Sequence, residues 1–156
     1  MKALCCTFAA VLAFNGVSQT PLQSAATKVT TPSDREKFIG AWHLVSLGAD
    51  AKPNSLAGLK GMLLYTRDGH MSVQLMYPKS AYGLTNEYVK NGYEASFGSY
   101  DVNEEAHTVI HHVQGSITEG LVGKDLPRAF QFTDDRRLII KSTRPDEHWS
   151  VIWEHY

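Results

Sequence analysis

The chain of 156 residues has little cysteine, little net charge and no apolar run long enough to cross a bilayer comfortably, and each shortage excludes a class of protein. Its two cysteines are Cys5 and Cys6, so residues 7–156 hold no disulfide, thiolate nucleophile or cysteine metal ligand. The formal net charge is −1 with both signs interspersed, which argues against a nucleic-acid partner and a polybasic membrane surface. The length suffices for one domain with its own core.

The first residues have the layout of an export signal. Lys2 precedes an apolar run, and small and polar residues follow from Gly16. A signal peptide is favoured over a buried helix because the polarity changes abruptly. We expect a signal peptide at residues 1–18, with cleavage there or as late as residue 26, a flexible lead-in at 19–32 and one domain at 33–156. The mature protein is then secreted or periplasmic and has no integral membrane segment.

An alternation of apolar and polar residues with a period of two dominates the rest of the chain. Ser33 and Glu36 have the spacing of a capping box, which predicts a helical turn at 34–38. No segment of helical period and core length interrupts the strand-like runs, so we predict an all-β protein, an eight-stranded up-and-down antiparallel barrel. The expected strands are 40–47, 61–66, 70–76, 96–102, 108–117, 127–133, 137–142 and 148–155.

The connections between these strands differ in length. Long loops are expected at 48–60, 77–95 and 118–126, whereas Asp68-Gly69, Asn103-Glu104 and Asp134-Asp135 indicate tight turns. Alternate connections of a meander lie at opposite ends, so the barrel is a cup with a mouth formed by the long loops. Within the loop at 77–95, residues 84–92 predict a short helix, which is either a lid or a plug.

Six segments of the chain resemble the lipocalin-like domain family of bacteria and fungi, within the calycin superfamily. They are FIGAWHLVSL, GMLLYTRDGHMSVQLM, ASFGSYDVN, TVIHHVQGS, Gly123–Arg128 and IWEHY. The resemblance implies an eight-stranded barrel that binds small apolar ligands. It also implies a structural floor, assigned here to Trp42, Trp153 and His155, where His155 replaces the arginine usual in the family. Ser96 replaces an aromatic residue, which would widen the interior near the mouth.

The histidine doublet identifies the inner face of the fifth predicted strand. Neighbouring strand residues point to opposite faces of the sheet. The face that carries His111 is otherwise apolar and the face that carries His112 is mostly polar, so His111 is expected to face inward. If the preceding hairpin closes across Asn103–Ala106, Gly98 lies opposite His111 and leaves room for a ligand over the imidazole. The same parity predicts further inward-facing ligand contacts at Met71, Val73, Tyr100, Val109, Val113 and Phe130.

Tyr65 and Arg128 complete the predicted ligand contacts. A two-residue turn would direct Tyr65 outward, and a three-residue turn with a glycine bulge would direct it inward. We expect the second, because the family often has proline where Arg67 stands. Arg128 is an inward cation near the mouth, which either reaches water and loop carbonyls or anchors a carboxylate or enol oxygen of a ligand. Strand rise places it about 15–20 Å from His111.

His111 has three candidate roles. It is a core histidine bonded to Tyr100 or water, a ligand contact, or a general base, metal ligand or haem ligand. No metal-binding spacing accompanies it, so no cofactor other than haem is considered. The acidic residues also suggest no catalytic pair, because they cluster in turns and look solvated: Asp134, Asp135, Asp146 and Glu147.

Three functions follow for the predicted barrel. The favoured one is binding of a small hydrophobic molecule, with or without an acidic head group. The alternative is a cyclase or isomerase acting on a polyene or terpenoid-like molecule, with His111 or Tyr100 moving a proton. The third is a filled barrel that serves as a protein-interaction module. The sequence assigns no oligomeric state.

Overall fold

The computed structural model describes residues 32–48, 57–81, 83–133 and 136–156. The predicted signal peptide and all but the last residue of the lead-in lie outside the described residues, as do the turn residues Asp134 and Asp135. In the part of the chain that is described, no helix has the length and apolar character needed to cross a membrane.

The described chain forms a closed antiparallel barrel whose eight strands follow one another in sequence order, as predicted. A short helix, α1 (Asp34–Phe38), precedes it and has the predicted capping box between Ser33 and Glu36. The strands are β1 (Gly40–Gly48), β2 (Lys60–Tyr65), β3 (His70–Met76), β4 (Tyr93–Asn103), β5 (Thr108–Ser116), β6 (Asp125–Phe132), β7 (Arg137–Ser142) and β8 (Ser150–His155).

The helix in the loop between β3 and β4 is a 3-10 turn at Lys79–Ala81, and residues 84–92 are not helical. The Asn86 side chain accepts hydrogen bonds from the backbone N–H groups of Tyr88 and Val89 at 2.8 and 2.9 Å. This bonding competes with a helix, because an asparagine side chain offers the backbone a local turn instead. The segment therefore covers the barrel mouth as an irregular loop.

The hairpin between β2 and β3 is the three-residue form. Thr66 N–H donates to His70 O at 2.9 Å, and Gly69 has φ +90°, a value that favours glycine. Tyr65 consequently pairs with Met71 and faces the interior, where it is 1 % exposed. The expected inward orientation of Tyr65 is confirmed.

The register predicted between β4 and β5 is wrong by two residues. The loop contains four residues, since Asn103 pairs with Thr108 and His107 adopts φ +49°. His111 therefore lies opposite Tyr100, not opposite Gly98. A Cβ atom on Gly98 would lie 1.9 Å from the His112 carbonyl oxygen. Gly98 thus permits a close approach of two backbones and leaves no room for a ligand.

Aromatic side chains fill the end of the barrel next to α1. Phe38 is fully buried, and its ring centroid lies 4.9 Å from those of Tyr65 and Phe130. Trp42 Nε1 donates to Phe38 O at 2.8 Å, and its ring lies 4.6 Å from His155. These contacts close one end of the barrel and position α1 against it.

We predict that Phe38→Ala lowers the free energy of unfolding by about 3–5 kcal/mol, because it opens a cavity among packed rings. Phe97→Ala is the matched control, since Phe97 is 58 % exposed, and should cost less than about 1 kcal/mol. Urea unfolding followed by tryptophan fluorescence measures both. Equal losses in the two variants would contradict the assignment of Phe38 to the core.

Candidate functional site

The half of the barrel next to the long loops encloses a cavity of about 230 Å³. Its wall is mostly apolar, and Trp149, Val151 and Trp153 belong to it. The loop residues Tyr88 and Val89 cover it. Trp153 therefore lies higher than the floor position assigned to it, in the wall of this cavity.

Of the ten predicted ligand contacts, the structure brings Val73, His111 and Arg128 to the cavity wall. The other seven face the interior but do not line the cavity: Tyr65, Met71, Gly98, Tyr100, Val109, Val113 and Phe130. Parity identified the inner face correctly. It could not show that Phe38, which comes from outside the strands, fills the lower half.

His111 is buried and bonded to Tyr65, not to Tyr100. The Tyr65 hydroxyl lies 2.7 Å from His111 Nε2, whereas the Tyr100 hydroxyl donates to Thr66 O at 3.0 Å. Burial, followed by the charges of Arg128 and His112, lowers the pKa of His111 to about 3. The imidazole is therefore neutral near pH 7 and a weak general base.

The Tyr65 hydroxyl also limits the other proposed roles of His111. Nε2 faces Tyr65, so this nitrogen is not directed at a metal or haem iron in the cavity. Burial raises the pKa of Tyr65 well above its usual value, so the pair stays uncharged. Within the described ranges, no three His, Cys, Asp or Glu side chains converge as metal ligands.

His112 faces the outside, as predicted. Its Nδ1 lies 2.6 Å from Asp125 Oδ1 and its Nε2 lies 3.1 Å from Asp101 Oδ2. The hydrogen bond to Asp125 is the main reason that the pKa of His112 is raised. The doublet thus combines the buried, neutral ring of His111 with the partly exposed ring of His112, whose raised pKa favours the charged form.

Arg128 is 6 % exposed, and two aromatic rings hold its guanidinium in the cavity wall. Its Cζ lies 4.9 Å from the ring centroid of Trp149 and 5.3 Å from that of Tyr88. Nη1 donates to Pro127 O at 3.2 Å. No ion pair among the described residues includes Arg128, so its positive charge has no carboxylate in contact.

Glu147 positions both of these rings. The Tyr88 hydroxyl donates to Glu147 Oε1 at 2.9 Å, and Trp149 Nε1 donates to Glu147 Oε2 at 3.1 Å. The Ser142 hydroxyl donates to the same carboxylate. The expectation that Glu147 is a solvated turn residue is therefore wrong, because its side chain is only 13 % exposed.

Arg128 and His111 lie much closer together than the predicted 15–20 Å. β6 begins at Asp125, two residues before the predicted strand, and pairs Arg128 with Val109 and Leu126 with His111. Such diagonal neighbours are about 7–8 Å apart, so both residues border the same cavity.

Glu94 is a cavity residue that the sequence reasoning missed. It pairs with Leu75 at the start of β4, a strand predicted to begin at Ser96. Burial raises the pKa of its carboxyl group to about 7, and the charge of Arg128 opposes this rise. The inward alternation of Tyr100, Gly98 and Ser96 reaches Glu94 two residues earlier and could have identified it.

An eight-stranded antiparallel barrel with one filled end and one mostly apolar cavity has the architecture of small-ligand-binding barrels. The family model of the lipocalin-like domain matches residues 39–155, and the chain belongs to this family. The comparison with curated proteins finds no match. Among solved structures, the chain is similar to a mutant of the fluorescent protein UnaG, with 13 % identity and a TM-score of 0.40, over 77 % of this chain and 96 % of that chain.

We predict opposite titration behaviour for the two histidines. The pKa of His111 is lowered from 6.5 to about 3, so between these pH values the residue binds a proton only in the unfolded chain. Each pH unit of acidification in this range therefore lowers the free energy of unfolding by about 1.4 kcal/mol. His112 has a raised pKa, so its stabilisation is complete below 6.5 and declines as pH rises through its folded value.

NMR titration of the imidazole resonances measures both groups in the intact protein, with His112→Gln to assign the second signal. We expect the His111 signal to stay constant down to about pH 4.5 and the His112 midpoint to exceed 6.5. A His111 midpoint near the usual value would mean that its ring is solvated.

Proposed function

We propose that this lipocalin-like barrel binds a small, mostly apolar molecule that carries an acidic oxygen group. The observation that carries the proposal is Arg128, a buried cation in a mostly apolar cavity wall with no carboxylate in contact. A buried charge is costly unless it is paired, and an oxygen anion on a ligand would provide the missing partner. The rings of Tyr88 and Trp149 hold the guanidinium in place before a ligand arrives.

The size and lining of the cavity support a compact ligand. Its volume of about 230 Å³ exceeds that of an engineered cavity of about 150 Å³ that takes up benzene. It is below the range of roughly 300–1,000 Å³ that drug-sized ligands occupy. A short acyl chain or a single substituted ring with one acidic group suits these dimensions.

The arrangement favours binding over the alternatives considered from the sequence. A cyclase or isomerase that used Tyr100 would need its hydroxyl in the cavity, but that hydroxyl donates to Thr66 O. His111 is a weak base because burial depresses its pKa. A filled barrel acting only as an interaction module is disfavoured because the upper half is open.

Arg128→Met should weaken octanoate binding about 10- to 100-fold, because it removes a charge-assisted contact but keeps the apolar surface. Binding of 1-octanol, which lacks the charge, should change less than about threefold. Isothermal titration calorimetry measures both ligands. Arg67→Met, at the opposite end of the barrel, is the matched control, and an equal effect of both variants on octanoate would contradict the proposed anchor.

We also propose that the protein is exported and acts outside the cytoplasm. The support is the sequence at residues 1–18, where a lysine and an apolar run precede small and polar residues. Expression of the full chain in a bacterium should yield a periplasmic product whose intact mass corresponds to cleavage after residue 18 or as late as residue 26. A cytoplasmic product that retains Cys5 and Cys6 would contradict export.

A further inference from the structure

Besides Arg128, the cavity wall contains an acidic side chain, Glu94, that neither the family nor the proposed head-group contact explains. Glu94 lines the cavity from β4, and its neighbours across the strand pair and along the strand, Leu75 and Ser96, line it too. No hydrogen bond or ion pair among the described residues reaches its carboxyl group. A carboxyl group without a partner in a mostly apolar cavity is as unusual as the unpaired cation of Arg128.

Glu94 and Arg128 interact electrostatically but are not in contact. The guanidinium charge acts on the Glu94 carboxyl group, yet no Glu94 oxygen lies within the 4.0 Å of an ion pair. Both groups border the same empty space, on strands separated by β5. Both groups therefore face the cavity without forming a salt bridge with each other.

We propose that Glu94 is the second head-group contact of the cavity, binding in its protonated form and donating that proton to an oxygen of the acidic ligand that Arg128 also holds. This inference rests on the proposed function. An anionic ligand and an ionised Glu94 would repel each other at short range, as two carboxylates in one site do. One proton shared between them removes the repulsion and adds a hydrogen bond. Above the pKa of Glu94, each ligand anion is therefore taken up together with a proton.

The other ionisable groups around the cavity do not titrate in the neutral range. His111 on β5 has a pKa of about 3, and Arg128 on β6 stays charged. Burial raises the pKa of Tyr77, which follows β3, to about 12, and also raises that of Tyr88 in the covering loop. Glu94 is thus the cavity group whose charge changes between about pH 6 and about pH 9.

The sign of the pH effect follows from the proton balance. Glu94 is mostly protonated below its pKa of about 7 and ionised above it, whereas a simple carboxylate ligand is ionised throughout. Binding above this pKa requires uptake of one proton from solvent. The apparent affinity for the anion therefore falls about tenfold for each pH unit above 7.

The test measures octanoate binding to the full chain by calorimetry at about pH 6 and about pH 9. For the natural sequence we expect the dissociation constant to rise about 100-fold between these values, with close to one proton taken up per octanoate at the higher pH. Proton uptake is read from the dependence of the binding heat on the ionisation heat of the buffer. In the Glu94→Gln variant the glutamine keeps a hydrogen-bond donor but does not titrate, so the affinity of this variant for octanoate should differ less than about threefold between the two pH values.

Two controls separate the possible results. Glu105→Gln removes a carboxylate from the exposed hairpin at the other end of the barrel and should keep the full pH dependence. 1-Octanol has no acidic group and should bind independently of pH. Octanoate that binds the natural sequence equally well at both pH values overturns the role of Glu94 but leaves the acidic-ligand proposal standing. Failure of octanoate to bind at either pH, with 1-octanol binding, overturns the acidic head group and this inference with it.

Discussion

The hydrogen bond between Tyr65 and His111 divides the barrel interior into a packed half and an open half. Below it, the ring of Phe38 packs against those of Tyr65 and Phe130. Above it, His111 forms part of the cavity wall. Because both side chains are buried, removing either one would leave a buried polar atom without a hydrogen-bond partner. The bond therefore stabilises the layer that separates the packed core from the cavity.

The open half depends on a balance of buried charge. Arg128 is held in the cavity wall by two aromatic rings that Glu147 orients through hydrogen bonds. Glu94 adds a carboxyl group whose pKa is raised by burial to about 7. Arg128 and Glu94 do not form an ion pair with each other. This arrangement is stable because cation–π contacts and protonation each reduce the cost of burial, and it leaves the final pairing to a ligand.

The predicted site was correct where it depended on strand parity and wrong where it depended on register. Parity placed His111 inward and His112 outward, and the three-residue turn placed Tyr65 inward. Register between strands depends on loop geometry, and His107 with its positive φ lengthens the β4–β5 loop and shifts the pairing by two residues. The early start of β6 likewise brings Arg128 near His111. Glu94 was missed because the fourth strand was predicted to begin three residues too late, at Ser96 instead of Tyr93.

The sequence by itself determined the barrel, the order of its strands and the face on which each side chain lies, because alternation and turn residues are local properties of the chain. Only the tertiary structure decided how much of the interior is empty. A helix outside the strands inserts Phe38 into one end, and loops distant in sequence bring Tyr88 and Trp149 around one cation. Such long-range packing depends on three-dimensional proximity, which no local pattern encodes.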